Sequence, residues 1–344
     1  MIRSDARIAQ CAASDVSGRF CLPGRARWFR LLRAGATNLI VCLAWISAFL
    51  WAPNRLSATE LKPETIQAFD QYVQKAELRM HDELKSGRPF LWVDSLPSAD
   101  RTAAYARLRG GEILVHSFAA GQEIPGGMIH DWIGVVFIPK ATIDEALSRI
   151  QDYNDYARIY SPEMIRSKLL QRNGNDFKVS IWLQKKGFPT IVLHVIENVQ
   201  YFRLDPSHEY SVSHSIRIAE VENPGTPQQY EDPPGTGYGF LWRLNDYRQF
   251  LQTSSGVYLQ FEVIALSRDI PWGLEWLLKP FVTKLPRQSL MFTLARTRAS
   301  IETALGQAIA GGGGRPSRTG WKAAGWSQFA EASFAGASSE RSMR

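Results

Sequence analysis

A succession of strand-length segments separated by turn signals, closed by one long helical segment, sets the fold class of this chain. Met128–Ile138 is a long apolar-rich strand stopped by Pro139. Thr142–Asp152 follows as an amphipathic helix with Ile143, Ala146, Leu147 and Ile150 on one face, and a second short helix at Tyr153–Tyr160 ends before Pro162. Strands then alternate with turns: Ile165–Gln171, the turn Arg172-Asn173-Gly174-Asn175, Phe177–Gln184, the turn Lys185-Lys186-Gly187, and Thr190–Phe202. Tyr210–Val221 and Gly239–Phe250 flank a Pro/Gly-rich excursion from Asn223 to Gly237, and Val257–Leu266 is the last strand. The segment from Pro271 to Ala310 reads as helix, with Leu274, Leu277, Leu278, Phe281, Leu290 and Leu294 dense enough for burial against a sheet. Pro280 and Pro286 predict a break or kink in its first half.

Where Gly134-Val135-Val136-Phe137-Ile138-Pro139, Asp152-Tyr153, the paired hairpins and Ile270-Pro271-Trp272 through Arg298 line up, the chain resembles the START and polyketide cyclase-like superfamily (SRPBCC). The resemblance is one of element order and length over half of the chain, and it extends to exported bacterial members of unassigned function. It implies an α+β helix-grip fold: a curved seven-stranded antiparallel sheet wrapped around a long C-terminal helix, with two short helices after the first strand. A ligand cavity between sheet and helix is implied with it. No particular reaction is implied, because a fold hosts many functions.

An extra helical unit precedes this pattern. Lys62–Ser86 has Pro63 preset for a first helical turn and Ile66, Phe69, Val73, Ala76, Met80 and Leu84 at helical spacing. Asp100–Arg109 reads as a second helix with Ser98 as N-cap, and Glu112–Ala119 as a strand. The division expected is a leader at 1–58, a helical extension at 59–125 packing on the main domain, the helix-grip domain at 126–310, and a disordered Gly/Ser/Ala-rich tail at 311–344.

Charge is distributed unevenly. The net charge is +7, yet residues 1–58 hold eight Lys/Arg against two acids, so the folded part is near neutral and a nucleic-acid partner is not expected. The basic stretch Arg25–Arg33 runs into the apolar segment Asn38–Trp51, the pattern of a secretory signal peptide with Ala58 before the cut. That apolar segment, about fourteen residues, is short of the ~20 needed to span a bilayer, and a retained anchor giving membrane association is the alternative. Export to the periplasm or envelope is therefore expected. All three cysteines, Cys11, Cys21 and Cys42, lie in the leader, so a mature chain would carry no thiol for disulfides, nucleophilic chemistry or metal binding.

Candidate chemistry is sparse. His130 and Asp131 are adjacent on a strand and must point to opposite faces, which disfavours a dyad. No histidine spacing supports a metal site, and no cofactor motif appears. Strand parity groups Arg243 with Tyr247, and Tyr258 with Glu262, and if the faces align Arg217, Arg243 and Glu262 form a cross-strand charge cluster. That cluster is either a solvated convex face or the polar part of the cavity lining. The ligand-contacting candidates are Trp182, His194, Arg217, Trp242, Arg243, Tyr247, Tyr258, Glu262, Trp272, Trp276 and Phe281, with Trp272 and Trp276 one turn apart at the entrance. The reading is an exported, non-catalytic binding protein for a hydrophobic small molecule or lipid. Two others stay open: a cyclase or aromatase-like enzyme using cavity Arg, Tyr or Glu, and an envelope structural or interaction module.

Overall fold

The structure is a computed structural model that describes residues 59–86, 89–186, 190–270 and 275–310, with backbone only for 275–283. The leader and the tail lie outside the described residues. Helices α1 (Pro63–Ser86) and α2 (Ser98–Arg109) come first, then strands β1 (Leu114–Ile124) and β2 (Gly127–Pro139). Helices α3 (Ile143–Ile150) and α4 (Tyr156–Ile159) precede β3 (Met164–Asn173), β4 (Asp176–Lys185), β5 (Ile191–Asp205) and β6 (His208–Glu222). The two-residue β7 (Tyr230–Glu231), β8 (Arg243–Thr253), β9 (Gly256–Arg268) and the long helix α5 (Glu275–Ala310) complete the order.

One antiparallel sheet takes the order β1-β2-β9-β8-β6-β5-β4-β3, with β7 on β6. The run from β2 to β3 is the expected helix-grip sheet, closed by pairing of β2 with β9 across the whole domain. Its seven strands are extended to nine by β1 and β7. β1 folds back on β2 through Pro125-Gly126, where proline presets one turn residue and Gly126 takes φ of +70°, the combination a type II turn uses. The strand expected at Glu112–Ala119 is thus the edge of the main sheet. β7 is the second addition, pairing Tyr230 and Glu231 with the end of β6. β8 starts at Arg243 rather than Gly239, because Glu220 accepts backbone N–H bonds from Tyr238 and Phe240 and holds that stretch in a turn. The backbone of α5 stays helical across Pro280 and Pro286.

Alternation along the strands makes two cores. On the inner face Val136, Ile138, Val179, Val199, Phe250, Leu259 and Phe261 pack against α3, α4 and the α5 residues Leu290, Leu294 and Ile301. α3 is started by a capping box between Thr142 and Glu145, which fixes its entry from β2. On the outer face Ile129, Val135, Phe137, Tyr210, Tyr247, Tyr258 and Ile264 pack against Phe69, Val73, Ala76, Met80 and Leu84 of α1 and Ala104 and Leu108 of α2. The result is three layers, with helices on both faces of the sheet. Each fully buried apolar side chain of α1 contributes up to roughly 1.5–3 kcal/mol.

α5 crosses β2 at Gly134, where a Cβ would sit 2.6 Å from Leu294 Cδ1 and 3.3 Å from Leu290 Cδ2. Glycine here is a matter of close approach. Gly134→Val is expected to wedge α5 from the sheet and cost about 1–3 kcal/mol, read as a lowered melting temperature in thermal unfolding.

Candidate functional site

Two strands, β5 and β8, place charged side chains in rows that are otherwise largely apolar. Glu197 on β5 shares its face with Val199 and Tyr201, and Asp246 and Arg248 on β8 share theirs with Phe250, all on the inner side. Between them, β6 contributes Ser211 and Ser213. The Arg248 guanidinium lies 2.9 Å from Asp246 Oδ1 and 4.4 Å from the centre of the Phe261 ring. Ser213 Oγ donates to Glu197 Oε2 at 3.1 Å. Phenols surround the guanidinium: Tyr153 and Tyr201 share a hydroxyl bond of 2.7 Å, Tyr156 donates to the Ile150 carbonyl, and Tyr160 bonds Thr297 of α5 at 2.9 Å.

Electrostatics settle the protonation of this cluster. Burial, followed by the nearby Asp246, pushes Glu197 up to about 8, against the pull of Arg248 and the Ser213 hydroxyl. Burial raises Asp246 as well, with Arg248 opposing. For Arg248, burial works most strongly against the charge, but Asp246 together with Tyr156, Tyr201 and Tyr153 outweighs it, so the guanidinium is held above its ordinary range. Near neutrality the carboxyls of Glu197 and Asp246 therefore hold a proton beside the charged guanidinium. Such a group offers a carboxyl O–H and guanidinium N–H donors beside a carboxylate acceptor, a match for a polar carbonyl, hydroxyl or carboxylate end of a ligand.

The candidates named from the sequence sit elsewhere, and their assignment to the cavity is corrected for every one whose side chain is described. Trp182, His194, Arg217, Arg243, Tyr247, Tyr258 and Glu262 have the opposite parity to the inner rows, and Trp242 is buried in the outer core. Glu262 is fully covered by α1, where Arg79 Nη2 approaches Oε1 to 2.5 Å. Tyr247 donates to Glu77 of α1 at 2.8 Å, and His214 Nε2 meets the same carboxylate at 2.9 Å. Tyr258 packs edge-on against Tyr105 of α2. Arg243 directs a guanidinium N–H to the Trp242 carbonyl. Arg217 pairs with Glu231 of β7 at 2.6 Å, and Trp182 stacks on His194. The expected Arg217–Arg243–Glu262 cluster thus divides, because Glu262 finds its cation on α1 and Arg217 its carboxylate on β7. Trp272 lies outside the described residues, as do the side chains of Trp276 and Phe281.

His130 and Asp131 point to opposite faces, as alternation requires. His130 Nε2 is 3.0 Å from Ser267 Oγ on the inner side, and burial lowers its pKa to about 4. Asp131 accepts from Tyr72 of α1 on the outer side. Sequence reading passed over Glu197, Asp246 and Arg248, although a charged residue in an otherwise apolar alternate row was a usable signal. Among the described residues, Glu220, Glu222 and Asp232 bring carboxylate oxygens within 4.8 Å of one another. Glu220 already accepts two backbone N–H groups there, so it serves as an anchor for the Pro/Gly-rich loop.

No family model matches the sequence, and no curated protein matches it. Solved structures with similar folds include a STAR-related lipid transfer protein from Xanthomonas axonopodis, at 14% identity over 56% of this chain and 99% of that one, TM-score 0.36. The Zhui aromatase/cyclase from Streptomyces sp. R1128 is similar at 14% identity over 54% of this chain and 99% of that one, TM-score 0.36. A START superfamily protein from Mycobacterium smegmatis is similar at 12% identity over 51% and 98%, TM-score 0.35. Strand order and helix placement give the described chain an α+β helix-grip fold with an added helical layer on the outer face of its sheet.

Proposed function

We propose that the chain binds a hydrophobic small molecule or lipid between the inner face of the sheet and α5, with Glu197, Asp246 and Arg248 holding its polar end. The supporting observation is Arg248 itself. It sits deep within the fold, yet 14% of its side chain remains accessible, in a wall built otherwise of Phe250, Leu259, Phe261 and the tyrosines. Buried ionic groups are usually no more stable than an apolar replacement of equal size, so a cluster of this kind marks a candidate site. An apolar wall with a few convergent polar groups is the common form of a ligand pocket. Affinity would come mainly from apolar burial, about 25 cal/mol per Å², and orientation from the charged cluster.

Native mass spectrometry of protein purified from its own host, followed by organic extraction, tests this reading. A co-purified amphiphile is expected. Arg248→Met should keep the fold and weaken binding of a fluorescent fatty acid about tenfold or more, the loss of one charge-assisted contact. A wild-type protein that carries nothing and ignores the probe would sink the proposal. We further propose that the domain works outside the cytoplasm, on the strength of the Arg25–Arg33 stretch and the apolar segment after it. Sequencing the mature N-terminus checks this, and a soluble cytoplasmic chain retaining residues 38–58 would refute it.

A further inference from the structure

On the outer face, β4, β5 and β7 bring together three residues of a familiar chemical pattern. Ser180 Oγ lies 2.9 Å from His194 Nε2, and His194 Nδ1 lies 2.9 Å from Glu231 Oε1. All three are half-buried, and among the described residues the core that α1 and α2 build takes in none from β3 or β4. The geometry points to an acyl-transfer site for carboxylic esters, with Ser180 as nucleophile, His194 as its base and Glu231 orienting the imidazole.

Hydroxyl, imidazole and carboxylate joined in series by hydrogen bonds are recognised by distance and role, on whatever fold they occur. Trp182 stacks on the imidazole at 4.9 Å between ring centres and holds its plane. Cations line the approach. Register places Lys168 of β3 directly across from Ser180, and Arg166 across from Trp182 with its guanidinium 4.7 Å from the indole ring centre. Lys168 and Arg166 are the cations placed to stabilise the charge of a tetrahedral oxyanion. The same positive charge favours esters that carry an anionic group.

In the reaction, Ser180 Oγ attacks the carbonyl carbon while its proton passes to His194 Nε2, and the carbonyl electron pair moves onto oxygen. Collapse breaks the bond to the leaving oxygen, which takes the proton from His194. Water then attacks acyl-Ser180, gives a proton to His194 Nε2, and releases the carboxylic acid as Ser180 recovers that proton.

Arg217 regulates this site as a positioning residue. Its Nη2 is 2.6 Å from Glu231 Oε2, and its Nη1 is 3.2 Å from His194 Nδ1. A guanidinium only donates, so a bond from Arg217 to Nδ1 forces the proton onto Nε2 and leaves Ser180 unactivated. When Nδ1–H instead donates to Glu231, Nε2 is free to accept from Ser180. Arg217 therefore acts as a brake on the reactive tautomer.

The test uses the chain with p-nitrophenyl acetate, following nitrophenolate release and mapping the acetyl group by mass spectrometry. The expected result is a burst with acetyl on Ser180, a roughly 100-fold or larger loss in Ser180→Ala and His194→Gln, and a several-fold gain in Arg217→Gln. Equal release by wild type and Ser180→Ala, or acetyl found only on lysines, would overturn it. Should Ser180→Ala fail to fold, the position of the acetyl group in the wild-type chain decides the matter. This site is on the opposite face from Glu197 and Arg248, so its failure would leave the binding proposal standing.

Discussion

Replacing Glu197 with Gln is expected to raise the melting temperature at pH 8.5 by roughly 5–10 °C, and to leave it nearly unchanged at pH 4.5. In the folded chain burial and Asp246 hold this carboxyl protonated up to about 8, whereas the unfolded chain releases the proton near 4.5. Between those values the folded state binds more protons, so stability falls as pH rises through the window and the loss is complete above it. Each pH unit of the window is worth about 1.4 kcal/mol, and with Asp246 and Arg248 sharing the change the net gain for Gln is about 2–3 kcal/mol. Glu262, raised to about 8, Glu209, raised to about 7, and Asp131, raised to about 6, act in the same direction, each chiefly through burial. His130, lowered to about 4, acts oppositely and costs stability as pH falls below its ordinary value. The wild-type chain should therefore be most stable in mildly acidic solution, and thermal unfolding from pH 4.5 to 8.5 shows whether Glu197→Gln flattens the alkaline side. A variant whose melting temperature fell in parallel with wild type would contradict the protonation assigned here.

Phe69→Ala is expected to cost about 3–5 kcal/mol and to lower the melting temperature by about 10 °C or more. Phe69 is 2% exposed, set in the core that joins α1 to the outer face of the sheet. Removing the ring leaves a cavity that the surrounding core side chains fill only in part. Arg79→Met should cost less, although it breaks the 2.5 Å contact to Glu262, because a carboxyl already raised to about 8 can take up a proton when its cation is lost. Denaturant unfolding of the two variants at pH 7 gives the comparison. An Arg79→Met loss larger than that of Phe69→Ala would mean that the ion pair, rather than the apolar stripe, fastens α1.

The existence and order of the elements, β7 apart, were readable before the structure, since period-two alternation and turn residues such as Asn173-Gly174 are local properties of the chain. The rows of β9 were readable too, with Val257, Leu259 and Phe261 on one face and Tyr258, Gln260 and Glu262 on the other. Parity names two rows without saying which of them meets the long helix. That depends on where α5 and α1 settle, and both are non-local choices: Arg79 reaches Glu262 across 183 residues and Tyr72 reaches Asp131 across 59. Hence Glu262 and Tyr247, chosen as cavity residues, proved to lie beneath α1, while Glu197, Asp246 and Arg248 emerged as the polar part of the inner wall. The sequence by itself determined the strands, the long helix and the two faces, because backbone geometry imposes them residue by residue. Only the tertiary structure decided which face each helix covers, and so which charges are buried together, because that is set by complementary surfaces far apart in the chain.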